Sequence, residues 1–282
     1  MQPQIDTRIP SEVEKHVYSI YVRMYPDGAR AFVPRAFEWV GNCFSGQYGD
    51  YQPIDARYHD FEHTLQGTLC LARLLNGRHA AKAKPEIPRK MFELCLLAIL
   101  FHDTGYLKKR TDSGGTGAKY TPIHVNRSVV FAREFLAPQG YSEAELQIVQ
   151  NMIRCTGVNV DLRSIPFQSE IEQTLGFALG TGDLLGQMAA RDYVDKLPVL
   201  YLEFAEAARY DEQGARLNRY TDAEDLMRKT PAFWSNYVWP RINDDFGRLY
   251  KFLNEPYPDG PNPYLAAIQR NLDRLQEKLK KK

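Results

Sequence analysis

Apolar residues recur every three or four positions along most of this chain, which is the spacing of one buried face of an α-helix. Residues 58–75 follow that spacing, and Asn76-Gly77 is placed to end the helix. Residues 91–101 are apolar almost throughout and follow Pro88, so we expect a second helix that is deeply buried. Almost every periodic segment shows this helical spacing, which predicts an all-α fold.

Prolines, glycines and capping residues indicate the boundaries of the later helices. Ser142 with Glu145 three positions on forms a capping box, which marks a helix start. We expect the helix over residues 169–194 to be interrupted only at Gly180 and Gly182. Further helices are expected to begin at Thr121-Pro122, at Pro198 and at Thr230-Pro231, the last with a kink at Pro240.

The chain contains no tandem repeat, no low-complexity segment and no long linker. We therefore predict one all-α domain over residues 1–282. The segment 111–120, TDSGGTGAKY, is too rich in glycine to be helical and directly follows the buried helix. We expect it to be a mobile loop.

Composition and charge limit the classes of partner that we expect this chain to bind. The chain is 44% hydrophobic and 25% charged, with a net charge of +1, so it has no bulk basic field for a nucleic-acid polymer or an anionic membrane. The longest apolar run, Leu94–Phe101, is far shorter than the ~20 residues of a membrane span, and MQPQIDTRIP does not resemble a signal peptide. We predict a cytoplasmic protein that acts on a small molecule.

The four cysteines predict no disulfide framework and no thiolate metal site. None of them forms a CxxC pair, and three lie within apolar helical patterns. We expect them to be small core residues of a protein in a reducing compartment. They are Cys43, Cys70, Cys95 and Cys155.

Imidazole and carboxylate side chains occur where packing alone favours apolar residues. His59 and His63 lie four positions apart on one predicted helix, so both rings should project from the same face. His102-Asp103 ends the most apolar helix, where a buried carboxylate is costly unless a cation neutralises it. Asp183 lies in another apolar segment. Taken singly, His63 is explained as a core histidine and Asp183 as a helix cap, so the prediction depends on the whole set.

The order and context of four residues resemble the H…HD…D signature of the HD-domain metal-dependent phosphohydrolases. The local sequences are YHDFEH, LAILFHDTGY and TGDLLGQ, and the residues are His63, His102, Asp103 and Asp183. The resemblance covers about residues 56–206. It implies a compact multi-helix HD-domain bundle, with helical extensions formed by residues 1–55 and 207–282.

The first of these sequences is similar to the YHNxxH element of class I cyclic-nucleotide phosphodiesterases, a branch of the same superfamily. This resemblance implies that His59 is the general acid and His63 a metal ligand. Asp60 stands where that element has asparagine, and Tyr106 stands where the family commonly has a second histidine. No glutamine occurs between Gln213 and Gln269 to clamp a purine, so the nucleotide clamp cannot be carried over.

The resemblance implies a site for one or two divalent ions. The four residues of the signature would bind one ion, and Asp103, as a catalytic residue, could bridge to a second. Mixed imidazole and carboxylate ligation suits Mn, Fe, Ni, Zn or Co, with Mg plausible at a water-rich second position. An ion of this kind makes hydroxide available from bound water, and His59 would protonate the departing alkoxide.

Four further residues are candidate contacts for substrate. His124 follows the glycine-rich loop, and the resemblance implies either a second-metal or a phosphate contact; the alternative is a polar residue at a helix start. Lys119 and Arg127 flank it and are either phosphate contacts or solvated charges. Gln187, in TGDLLGQ, is the fourth candidate.

The sequence therefore predicts a divalent-metal-dependent phosphohydrolase acting on a nucleotide or a related small phosphoester, with phosphodiesters among its candidate substrates. Two alternatives remain open. One is a nucleotidase or deoxynucleotide hydrolase of the same superfamily, and the other is a metal-containing, non-catalytic ligand-binding regulatory module.

The C-terminal segment carries a narrow apolar seam after Asn262-Pro263. A seam of two heptads is short for an independent coiled coil, so either it packs on its own domain or it pairs two copies. We expect a monomer or a homodimer. The seam consists of Leu265, Ile268, Leu272, Leu275 and Leu279.

Overall fold

The computed structural model describes residues 5–210 and 219–280, and this part of the chain is all-α, as predicted. A single isolated bridge, between Tyr51 and Lys109, is the only strand-like pairing in those residues. The described residues form ten α-helices: α1 Pro10–Met24, α2 Phe32–Phe44, α3 Phe61–Ala80, α4 Arg89–Phe101, α5 His124–Leu136, α6 Glu143–Arg154, α7 Glu170–Met188, α8 Tyr193–Tyr210, α9 Ala223–Phe233 and α10 Pro263–Lys280.

One hydrophobic cluster runs through the bundle from Val13 in α1 to Leu275 in α10. Helix α4 lies at its centre: every residue from Leu94 to Phe101 is buried, which confirms the expectation for this helix. No helix among the described residues is long and apolar enough to cross a membrane.

Glycines let α3 and α7 pack closely along their length. A Cβ atom on Gly182 would lie 2.9 Å from Cβ of Leu71, and one on Gly186 would lie 2.6 Å from the carbonyl oxygen of Gln66. The predicted interruption at Gly180 and Gly182 is wrong, because α7 continues unbroken through both. These glycines serve close helix packing rather than a helix end.

Helix α3 differs from its predicted bounds at both ends. It begins at Phe61, where the Asp60 side chain accepts a hydrogen bond from the backbone N–H of His63. The predicted stop at Asn76-Gly77 is wrong, since the helix continues to Ala80. Gly77 has a packing role instead: a Cβ atom there would lie 1.9 Å from the carbonyl oxygen of Phe252.

Two prolines expected to begin helices lie inside them. Helix α8 begins at Tyr193 and includes Pro198, while α9 begins at Ala223 and includes Pro231. Both expected starts are therefore wrong: the Asp222 side chain caps α9, and each helix continues through its proline although that residue lacks an N–H donor. Pro240, where a kink is expected, lies between two π-helical turns, Trp234–Val238 and Arg241–Asp245.

Other local predictions are confirmed. Ser142 and Glu145 form the complete capping box of α6, and all four cysteines are buried as free thiols. The C-terminal seam packs on its own domain, with Ile268, Leu272 and Leu275 in the hydrophobic cluster.

The glycine-rich segment is partly helical, contrary to the expectation, and it is held in place by hydrogen bonds. Gly117–Tyr120 forms a 3-10 turn. The backbone N–H of Gly117 donates to Asp55, and the Thr116 hydroxyl donates to Glu206 of α8 at 2.7 Å. Glycine is needed at position 117 for close packing, because a Cβ atom there would lie 2.0 Å from the carbonyl oxygen of Tyr106.

Candidate metal centre

Three helices bring the four predicted metal ligands together. His63 lies in the first turn of α3, which Asp60 caps, and Asp183 lies in α7, which packs along α3. His102 is the C-terminal cap of α4 and Asp103 follows it with φ −108° and ψ 9°, outside helical geometry. That change of backbone direction at the helix end allows adjacent side chains to face one point.

The ligand atoms of His63, His102 and Asp103 all lie within 4.8 Å of one another, a group that does not include Asp183, and the nitrogen–oxygen distances of all four residues are short. Oδ2 of Asp103 lies 3.2 Å from Nε2 of His63 and 3.2 Å from Nε2 of His102. Oδ1 of Asp183 lies 3.4 Å from each of the same nitrogens. Ligands bound at about 2.0–2.1 Å and separated by right or tetrahedral angles lie about 2.9–3.4 Å apart.

Three of these four ligand atoms are buried without a hydrogen-bond partner in the described part of the chain: Nε2 of His102, Oδ2 of Asp103 and Oδ1 of Asp183. Unpaired polar atoms in a protein interior are costly, and a bound cation would satisfy all of them at once. The opposite ring nitrogen of His102 is already used, since Nδ1–H donates to the carbonyl oxygen of Ile99 at 2.7 Å. The His102 ring is therefore fixed with Nε2 directed at the cluster.

The cluster perturbs the pKa of each of its members. Burial lowers the pKa of His63, but the adjacent carboxylates of Asp103 and Asp183 outweigh burial and raise that pKa to about 9. Burial likewise lowers the pKa of His102, and the same carboxylates raise it well above its ordinary value. Although burial raises the pKa of both carboxyl groups, the two imidazoles hold each well below its ordinary range.

His59 reaches the centre from outside the helix. It precedes α3, so the expectation that His59 and His63 share one helix face is wrong. The extended backbone of Asp60 turns the chain, and the two rings still lie 5.3 Å apart between centroids. Nδ1–H of His59 donates to Oε2 of Glu203 at 2.6 Å, which leaves Nε2 available to another group.

Glu203 of α8 is a site residue that the sequence reasoning missed. Its second oxygen accepts the backbone N–H of Tyr58 at 2.7 Å, so one carboxylate holds both the backbone and the side chain of this segment. Although burial raises the pKa of Glu203, its interactions with His59 lower it below the ordinary value. The available signal was a lone glutamate among the apolar residues of VLYLEFA, the same kind of signal that identified Asp183.

His124, at the start of α5, also lies at the centre. Its Nδ1–H donates to the carbonyl oxygen of Thr121 at 2.6 Å, and its Nε2 lies 3.9 Å from Oδ1 of Asp103. Burial lowers the pKa of His124, which favours the neutral ring and an unprotonated Nε2. This nitrogen faces the oxygen of Asp103 that the four-atom cluster does not use.

Lys119 and Arg127 bind protein groups. Nζ of Lys119 contacts the side chain of Asp112, and the guanidinium of Arg127 donates to the carbonyl oxygens of Gly105 at 2.7 Å and Leu107 at 2.8 Å. These contacts give both residues structural roles. Their binding of substrate stays a prediction.

Gln187 lies beside the centre, one turn after Asp183 on α7. Its side-chain oxygen accepts the hydroxyl of Tyr58 at 2.9 Å. A cavity of about 10 Å³, large enough for about one water molecule, is lined by Gln187, His63 and Lys196 among others. A larger cavity of about 410 Å³ is lined by residues between Leu162 and Gln173, and it shares no residue with the centre.

The sequence of most of the chain identifies its family. A model of the Npun_R2479-like family matches residues 11–254, a stretch that includes every residue of the centre, so the chain belongs to this family. None of the curated proteins matches the chain.

Proposed function

We propose that this member of the Npun_R2479-like family is a divalent-metal-dependent phosphohydrolase of the HD superfamily, acting on a nucleotide or a related small phosphoester. One observation carries the proposal: the Nε2 atoms of His63 and His102 each lie 3.2–3.4 Å from one oxygen of Asp103 and one of Asp183, and three of these four atoms have no hydrogen-bond partner among the described residues. The order of these residues along the chain agrees with the superfamily signature.

The donor set suits a borderline divalent ion such as Mn, Fe, Co, Ni or Zn, and Mg is plausible at a second position toward His124 and Asp103. His63, His102, Asp103 and Asp183 would hold the first ion. A bound ion of this class supplies Lewis acidity and lowers the pKa of coordinated water toward neutrality. The two carboxylates also offset part of its charge within a buried site.

His59 is the proton donor in this proposal. Nδ1–H is committed to Glu203, so Nε2 is the nitrogen that would carry a proton to the leaving oxygen of the substrate. The hydrogen bond to the Glu203 carboxylate fixes the direction of the His59 ring. Among the described residues His59 bonds to Glu203 and forms no ion pair with the carboxylates of Asp103 or Asp183, so its Nε2 is available for proton transfer.

A phosphoester screen that follows metal analysis tests the proposal. The purified protein is assayed for bound metals, and the metal found is then supplied with phosphodiesters, including cyclic nucleotides, and with mononucleotides. We expect hydrolysis that is lost in His59→Asn and retained in His79→Asn, the matched control at an exposed histidine.

The products separate the related candidates. Release of inorganic phosphate from mononucleotides would assign a nucleotidase, whereas conversion of a diester to a monoester would assign a phosphodiesterase. Bound metal without turnover of any phosphoester would overturn the hydrolase proposal and favour the regulatory module.

A further inference from the structure

Tyr106 lies against both histidines that reach the centre from outside the four-ligand cluster. Its ring centroid is 4.4 Å from that of His59, with 14° between the planes, and 4.7 Å from that of His124, with 21° between the planes. The Tyr106 side chain is fully buried, in the 3-10 turn Thr104–Tyr106 that follows Asp103. Both contacts are therefore stacked contacts on one aromatic ring.

The two imidazoles are too close together to stack on opposite faces of Tyr106. Stacked rings cannot approach closer than about 3.5 Å, so imidazoles on opposite faces would have centroids about 7 Å apart. The centroids of His59 and His124 are 6.1 Å apart. The phenol ring thus forms a floor beneath two imidazoles that lie side by side.

Each imidazole is also fixed at its outer edge. Nδ1 of His59 is bonded to Glu203, and Nδ1 of His124 is bonded to the carbonyl oxygen of Thr121. A single hydrogen bond leaves an imidazole free to tilt about that bond. Contact with the floor removes this freedom, because tilting either ring toward Tyr106 would produce an overlap of the rings.

The turn that carries Tyr106 is held from two sides. Arg127 donates to the carbonyl oxygens of Gly105 and Leu107, the residues on either side of Tyr106. Gly105 packs directly on the backbone of α5, where an added Cβ atom would lie 1.9 Å from the carbonyl oxygen of His124. The position of the floor is thus coupled to the start of α5, which carries His124.

We propose that Tyr106 is a positioning residue that holds His59 and His124 at a fixed spacing beside the candidate metal centre. The aromatic ring is what matters, because the buried hydroxyl has no hydrogen-bond partner among the described residues. Arg127 supports the floor by fixing its turn. The kinetic part of this inference rests on the proposed function, whereas the arrangement of the rings does not.

Two substitutions of Tyr106 distinguish the role of its aromatic ring from the role of its hydroxyl. Tyr106→Phe retains the ring and removes only an unpaired hydroxyl, so kcat should stay within a few-fold of the parent value. Tyr106→Leu removes the floor, and kcat should fall roughly 10²-fold, as expected for misplaced catalytic groups, with little change in KM. Bound metal should be retained in both variants, because the four ligands are untouched.

Histidine NMR on the Zn²⁺-loaded protein measures the arrangement without reference to turnover. The ring-proton resonances of His59 and His124, assigned with His59→Asn and His124→Asn, should carry a ring-current shift from Tyr106. That shift should be lost in Tyr106→Leu, retained in Tyr106→Phe and altered in Arg127→Met. Tyr21→Leu is the matched control, since Tyr21 is an equally buried tyrosine of the core, and it should leave both resonances in place.

The outcomes are distinguishable. Unchanged resonances in both Tyr106→Leu and Arg127→Met would contradict the stacking of His59 and His124 on Tyr106. If Tyr106→Leu does not fold, the result for Arg127→Met alone decides. Resonances that shift while kcat stays constant would overturn the positioning role. If the parent protein hydrolyses no phosphoester, the proposed function fails while the NMR result still tests the floor.

Discussion

Nδ1 of His59 lies 2.6 Å from Oε2 of Glu203, although 144 residues separate them along the chain. The contact joins the segment before α3 to the middle of α8. It determines which nitrogen of His59 is available for chemistry, and it places a buried negative charge behind that ring. The proposed proton donor therefore depends on tertiary structure as much as on its own identity.

Glu203→Gln tests this relationship. The amide keeps a similar shape but loses the charge, and only one of its two polar groups can accept a hydrogen bond from His59 or Tyr58. We expect kcat to fall roughly 10- to 100-fold, as for other groups that orient a site residue, with metal content unchanged. Steady-state kinetics and elemental analysis measure the two quantities. Unchanged kcat would remove Glu203 from the proposed mechanism.

His59→Asn separates proton transfer from metal binding. The variant should keep its metal, since His59 is outside the four-atom cluster, and should lose roughly 10²- to 10⁴-fold in kcat on a substrate with a poor leaving group. A nitrophenyl ester departs without protonation, so the loss on that substrate should be much smaller. Equal losses on the two substrates would show that His59 is not the general acid.

The fold class could be predicted from the sequence because helical periodicity is local, whereas the four metal-ligand candidates were predicted as a set from their resemblance to the HD-domain signature. Helical periodicity identifies the bundle, and a carboxylate in an apolar helix, such as Asp183, stands out on chemical grounds alone. The boundaries at Gly77 and Pro198 were predicted incorrectly: glycine at position 77 permits close packing against the backbone of Phe252, and α8 continues through Pro198.

The contacts around the candidate site were harder to predict from the sequence. Glu203 and His59 are 144 residues apart along the chain, so no local sequence pattern predicts their contact. His59 was placed near His63 by helix geometry that does not apply, since Asp60 begins the helix after it. The stacking of Tyr106 on two histidines likewise depends on the turn after α4 meeting the start of α5.

Gly186→Ala tests whether close packing of α3 and α7 maintains the centre. The added methyl group would meet the carbonyl oxygen of Gln66 at 2.6 Å and should push α7, which carries Asp183, away from α3. We expect a loss of about 1–3 kcal/mol in the free energy of unfolding. Metal affinity should weaken as well.

Gly41→Ala is the matched control for this substitution. A Cβ atom at Gly41, in helix α2, has nothing within 4 Å, so alanine should stabilise the protein by about 0.5–1 kcal/mol through helix propensity. Chemical denaturation and metal titration of both variants measure the two effects. Equal metal affinity in Gly186→Ala and the parent protein would contradict the packing role.

The metal-free protein should lose stability as the pH rises toward 9. The pKa of His63 is about 9 in the folded protein against 6.5 ordinarily, so its folded state binds a proton more tightly than its unfolded state. The resulting stabilisation is complete below about pH 6.5 and is lost as the pH rises through about 9. Denaturation midpoints of chelator-treated protein at pH 6 and pH 9 measure it, and a higher midpoint at pH 9 would contradict it.

Metal content of the two carboxylate variants tests the proposed centre most directly. Asp103→Ala and Asp183→Ala each remove one anionic ligand and should lose most of the bound ion, whereas Asp192→Ala, a matched change at a carboxylate outside the cluster, should retain it. Elemental analysis of the three purified variants beside the parent protein gives the ion-to-protein ratio. We expect a ratio of at least one ion per chain in the parent and in Asp192→Ala, and a ratio near zero in the other two. Metal content equal to that of the parent in either Asp103→Ala or Asp183→Ala would contradict the proposed centre.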